Sequence, residues 1–238
     1  MSESYSVRAY WGSRRETAEE CAARTALFFH LLSRCHPSYA RWYEQASSPK
    51  KALQLQFEPT LESFVRFFGM EKHQILDDGF SFSAWTGHME QDQGGVVMLR
   101  CGSDAEVAPN SVRLLLPKEA LGGERMLTVP VLGCVMRALA VAWEPDWAIA
   151  TADGLWEQFS NRGRLGTFVG WMTYFSHQRG EVPELPTPVR VETVDDKGTL
   201  ITLTPERLTS SRPDHVALVQ HVQKLLDERG LLRMVVER

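Results

Sequence analysis

The chain has 238 residues, a formal net charge of −4, and 43% hydrophobic against 24% charged residues, a composition ordinary for a soluble globular protein and too apolar for a disordered one. A chain of this size buries roughly 70–75% of its unfolded surface without needing disulfide or metal staples, and its acidic balance argues against direct nucleic-acid binding, which calls for a basic face. No stretch approaches the roughly eighteen apolar residues of a membrane span, and the N-terminal segment with Arg8, Arg14 and Arg15 lacks a signal-peptide core, so a soluble cytoplasmic protein is expected.

Tyr5 to Trp11 alternates inward and outward residues and reads as a half-buried strand ended by Gly12. Thr17 followed by Glu20 forms a capping box, and Cys21, Thr25, Phe28, Leu32 and Cys35 mark one face of the helix it opens. Pro37 is expected to start a second short helix with Tyr39, Trp42 and Tyr43 on its aromatic face, closed by Ser47, Ser48 and Pro49. Beyond Pro59, the spacing of Leu61, Phe64, Val65 and Phe68 predicts a third helix, stopped by Gly69.

After Asp77-Asp78-Gly79 the period changes to two. Phe80, Phe82 and Ala84 alternate with Ser81, Ser83 and Trp85, the polar stretch Gly87 to Gly95 reads as a hairpin loop, and Val96 to Arg100 pairs back. A second polar loop with Asp104, Glu106 and Pro109 leads to a third strand, Ser111 to Leu116, so the three favour an antiparallel meander. Val131, Val135, Ala138, Leu139 and Ala142 return to helical spacing until Glu144-Pro145 breaks it. Apolar Ala148 to Ala150 follows, then a strand-like run from Thr167 to Phe175 with Gly170 inside it. Trp143, Trp147, Trp171, Tyr174 and Phe175 are either core or, in part, the edge of a contact surface.

Pro186-Thr187-Pro188 resembles an internal linker, yet a hairpin around Asp195 to Gly198 follows it. A last helix opens at Ser211, carries Leu218, Val222, Leu225 and Leu226 on one face and stops at Gly230, and Leu231 to Val236 is expected as a terminal edge strand. The order of elements predicts an α+β fold, a largely antiparallel sheet with helices packed on it, spanning 1–238 as one domain.

Chemistry is sparse. Cys21, Cys35, Cys101 and Cys134 lie far apart in apolar neighbourhoods and read as small buried hydrophobes rather than a disulfide or zinc framework, which fits a reducing compartment. His215 and His221 fall on different helix faces, Gly79 to Ser83 lacks the second glycine of a nucleophile elbow, and Gly163, Gly166 and Gly170 do not have dinucleotide-loop spacing. The only cluster that supports a hydrolase or transferase reading is Tyr174, Ser176 and His177 at a strand end. No cofactor or metal is expected.

Charge is more informative. Glu90, Asp92, Asp104 and Glu106 form one acidic run, and Glu144, Asp146, Asp153 and Glu157 another without lysine or arginine. Both fall largely in predicted loops, where polar residues are ordinary. Placed together at one end of the sheet, Glu90, Asp92, Asp104, Glu106, Asp153 and Glu157 would attract a basic partner, with Trp156 as an anchor.

The chain resembles the immunity protein 52 family of bacterial polymorphic-toxin systems. The resemblance rests on Tyr10-Trp11-Gly12-Ser13-Arg14-Arg15-Glu16 with Ala18 to Cys21, on Ala40 to Tyr43, Phe80 to Gly87, Asn110 to Val112, Trp143 to Trp147 and Gly170 to Tyr174, in that order between Tyr5 and Ser176. It implies an α+β protein that is not an enzyme and that binds and neutralises a cognate toxin, commonly a nuclease with a restriction-endonuclease-like domain, without membrane or direct nucleic-acid partners. A toxin-loading adaptor is the other binding role it leaves open.

Overall fold

The computed structural model describes residues 3–75, 78–87, 95–117, 125–160 and 164–236. Ten strands form one antiparallel sheet: β1 (Tyr5–Trp11), β2 (Trp42–Glu44), β3 (Gln56–Phe57), β4 (Phe80–Trp85), β5 (Val96–Cys101), β6 (Asn110–Leu115), β7 (Trp147–Ala152), β8 (Met172–Ser176), β9 (Arg190–Val194) and β10 (Gly198–Thr202). Their order is β3-β2-β4-β5-β6-β1-β7-β8-β10-β9. The β4-β5-β6 meander forms as expected. The first strand occupies the middle, between β6 and β7.

The described residues also form six α-helices: α1 (Ala18–Cys35), α2 (Pro49–Ala52), α3 (Leu61–Phe68), α4 (Val129–Trp143), α5 (Asp153–Phe159) and α6 (Pro213–Glu228). The α1 N-terminus carries the full capping box: Thr17 Oγ1 accepts from the Glu20 backbone N–H at 3.2 Å, and the Glu20 carboxylate accepts from the Thr17 N–H at 2.8 Å. Thr17→Ala should cost about 0.5–2 kcal/mol, read from denaturant unfolding, because the Glu20 N–H in the first turn of α1 loses its acceptor.

One side of the sheet packs on α1, α3 and α4. Val7, Ala9 and Trp11 of β1 point into this layer, where Trp11 stacks on Trp143 of α4 at 5.2 Å, and Phe82 meets Phe64, Phe67 and Phe68 of α3. The other side of β7, β8 and β10 is also closed. Trp147, Ile149, Thr173, Phe175 and Ile201 are buried there, with Phe168 wedged edge-on between Trp147 and Trp156. Trp143, Trp147, Trp171, Tyr174 and Phe175 are thus all core.

At the end of α4, Glu144 adopts a left-handed conformation with φ +47, consistent with the following proline excluding the right-handed helical region. Arg24 and Arg14 donate to the Ala142 and Trp143 carbonyls, placing positive charge at a helix C-terminus. The hairpin after Pro188 joins β8 through β10, so the residues following the Pro-rich segment extend the same sheet.

Several expectations need correction. After Pro37 the chain makes only a single 3-10 turn, Pro37–Tyr39, and Trp42 and Tyr43 belong to β2, where Tyr43 pairs with Gln56 and Trp85. Pro49 opens α2 under a Ser48 cap instead of closing a helix. The strand expected from Thr167 begins at Met172, with Gly170 N–H turned to Thr173 Oγ1. Leu231 to Val236 is not a strand; Leu231 and Leu232 are buried, and Arg179 Nη1 donates to the Leu231 and Arg233 carbonyls.

The cysteine reading also fails in one pair. Cys35 and Cys134 form a disulfide between the end of α1 and α4, with Cα atoms 5.4 Å apart and a sequence separation of 99. Cys21 and Cys101 are free and buried, as expected of small hydrophobes. The cysteines therefore no longer argue for a reducing compartment. Among the described residues no helix is long and apolar enough to cross a membrane.

Candidate functional site

The acidic residues do not gather at one end of the sheet. Asp104 lies beyond the Trp11 end of β1, where its backbone carbonyl accepts from Ser13 Oγ and its carboxylate pairs with Arg15 at 3.1 Å; Glu106 is exposed in the same loop. Asp153 lies at the Tyr5 end, its N–H donating to Ser4 O at 2.8 Å. A seven-residue strand separates the two groups, about 20 Å. Glu90 and Asp92 fall outside the described residues.

Asp153 and Glu157 sit on α5 rather than in a loop. Asp153 pairs with Arg8 at 3.4 Å, and Glu157 is exposed. Trp156, half-buried, holds the Arg8 guanidinium 3.6 Å from its ring centroid, a cation–π contact. Glu144 and Asp146 are used internally: Glu144 pairs with Lys197 and Arg24, and Asp146 accepts from Gly12 N–H at 2.9 Å. The Lys197 bond, with Arg24 nearby, holds the Glu144 carboxyl below its usual range.

Register brings together residues that sequence reasoning did not connect. On the outer side of β5, β6 and β1, Met98 lies opposite Arg113 and Arg113 opposite Arg8; one step along, Arg100 lies opposite Ser111 and Ser111 opposite Tyr10. Ser81, Ser83 and Trp85 extend this side on β4. These side chains are half-buried except Arg8, which is 6% exposed, while the alternate residues Val97, Val112 and Leu114 are fully buried beneath the helices. The only advance signal was the alternation itself, which set Arg8, Arg100 and Arg113 on outward positions.

The Tyr174, Ser176, His177 cluster has little of a catalytic constellation. Tyr174 is buried, and burial together with Glu144 and Asp146 pushes its phenol well above the ordinary value, the wrong direction for a base. Ser176 Oγ is buried without a partner, His177 is exposed in a 3-10 turn past the strand, and among the described residues no hydrogen bond joins any two of the three. Nor do the described His, Cys, Asp and Glu residues form a group that could hold a metal ion.

Fold and surface together define an antiparallel α+β protein with a broad, half-exposed sheet side bordered by an acidic helix. The chain belongs to the immunity protein 52 family, whose description matches residues 3–235. The match runs through α6 and the C-terminal tail, well past the Tyr5 to Ser176 span that carries the resemblance in sequence. No curated protein matches the chain. Among solved structures, Pseudomonas aeruginosa T6SS protein PA0821 is similar in fold, with a TM-score of 0.57 at 14% identity over 98% of this chain and 73% of that one.

Proposed function

We propose that this immunity protein binds a cognate antibacterial toxin directly and blocks it without turning over a substrate of its own. Membership of the immunity protein 52 family across nearly the whole chain carries this reading. We infer further that the toxin is a nuclease delivered by a type VI secretion system, met in the cytoplasm where its substrate lies. The net charge of −4 supports a basic partner, and the similarity in fold to a T6SS protein supports the delivery route.

Of the acidic residues, the group at the Tyr5 end is the better contact. Asp153 and Glu157 lie on one short helix beside the Arg8–Trp156 stack, whereas Asp104 and Glu106 lie about a strand length away. Exposed charges act mainly on encounter rate, so the anchor should be Trp156.

Co-expression with a candidate cognate toxin tests the reading, with survival and a co-purifying complex expected. Killing that continues, with no complex, would sink it. In the complex, raising salt should slow association far more than it speeds dissociation, and Glu157→Gln should slow association while Glu106→Gln leaves it unchanged. The opposite pattern would move the contact to the Asp104 end.

A further inference from the structure

The outer sheet side holds a charge arrangement that the fold alone does not explain. Arg8 and Arg113 face each other directly on adjacent antiparallel strands, where side chains stand about 5 Å apart at Cβ and like charges destabilise the pair. Arg8 is compensated: its Nε donates to Ser6 Oγ at 2.9 Å, Asp153 lies 3.4 Å away and the Trp156 face covers it. Arg100, on the adjoining row, pairs with Asp78. Arg113 has no ion-pair partner among the described residues, and its Nε is buried without a hydrogen bond. A guanidinium is therefore held beside a second one with its Nε–H unanswered, and a buried unmade hydrogen bond is costly.

Around it the surface is mixed. Met98 lies directly opposite Arg113, with half-buried Val96 and Leu115 a row away, and Tyr10 sits diagonally across, stacked on Trp147 at 5.9 Å. Arginine amid aromatic and Met side chains is the usual composition of a protein–protein hot spot.

We propose that this sheet side, centred on Arg113, is the surface on which the toxin docks, and that it receives a carboxylate-bearing segment of the toxin flanked by apolar side chains. The proposal rests on the immunity reading above and gives it a site. A carboxylate beside Arg113 and Arg8 would accept from the open Arg113 Nε–H and cancel the repulsion, in the bidentate geometry that guanidinium groups favour. A nucleic acid fits less well. Asp153 and Glu157 border the surface and the chain is acidic overall, so a run of phosphates would meet repulsion where a single carboxylate would not.

Two variants test this, with a catalytically inactive form of the toxin identified by that co-expression as the probe and a single-stranded DNA oligomer as the rival. Arg113→Met keeps the apolar stem and removes the charge. It should melt no lower than wild type, since like-charge repulsion is relieved, while its affinity for the toxin falls by roughly 30-fold or more, mainly through faster dissociation. Met98→Glu supplies a carboxylate opposite Arg113 within the chain, and should raise the melting temperature and compete with the toxin. Unchanged toxin affinity in both variants would overturn the docking surface and leave the immunity reading standing. A wild-type protein that fails to bind the toxin at all would overturn the immunity reading, and the docking proposal with it. Tight DNA binding lost in Arg113→Met, with toxin affinity unaltered, would reassign the surface to nucleic acid.

Discussion

Replacing Trp171 with alanine should lower the unfolding free energy by about 3–5 kcal/mol, the usual cost of deleting a large buried aromatic. Trp171 is 1% exposed. Its indole Nε1–H donates to the Thr204 carbonyl at 2.9 Å, its own carbonyl accepts from Leu203 N–H, and its ring meets Tyr5 edge-on at 6.2 Å. Tyr5 in turn donates to the Leu208 carbonyl at 2.8 Å. One side chain thus ties the entry of β8 to the first strand and to the exit from β10. Alanine would leave a cavity and strip a buried carbonyl of its donor. Trp171→Phe separates the two effects, because it keeps most of the buried area and loses the hydrogen bond; about 1–3 kcal/mol is expected. Urea denaturation of both variants measures this. Wild-type stability combined with loss of toxin binding would make Trp171 a contact residue, contrary to its burial.

The elements that local pattern revealed are those whose determinants are local. The Thr17–Glu20 box fixes the start of α1 to the residue, and the alternation in Tyr5–Trp11, Phe80–Trp85 and Val96–Cys101 is long enough to show a period of two. Trp42–Glu44 is too short to show any period. With a proline upstream it reads as helix, and only pairing with β3 and β4 makes it a strand. The seven-residue α5 was hidden for a similar reason, since it follows β7 without a linking residue or side-chain cap. What remained out of reach is long-range. No local signal places the first strand between β6 and β7, and that placement decides two features of the candidate site. It sets Asp104 and Asp153 at opposite ends of the sheet, and it brings Arg8 into register with Arg113.

The disulfide belongs to the same category, and its removal should have the second large effect. Cys35→Ala with Cys134→Ala should destabilise the protein by about 2–5 kcal/mol, because a link closing a loop of roughly a hundred residues restricts the unfolded chain strongly. The 99-residue separation hides the pair in sequence, whereas side-by-side packing of α1 and α4 makes it close in space. Protein denatured without reductant should show two titratable thiols, from Cys21 and Cys101, and reduction should release the other pair and bring wild-type stability down to that of the variant. Four thiols before reduction would show that the link does not form. Trp11 stacks on α4 and Tyr10 on Trp147, so the helix layer holding the disulfide lies across the sheet from Arg113. The alanine pair should therefore bind toxin with wild-type affinity wherever it remains folded. Loss of affinity at a temperature where the variant is fully native would place the toxin on the helix layer, around Leu31, Arg34 and Arg137, and off the arginine-bearing side of the sheet.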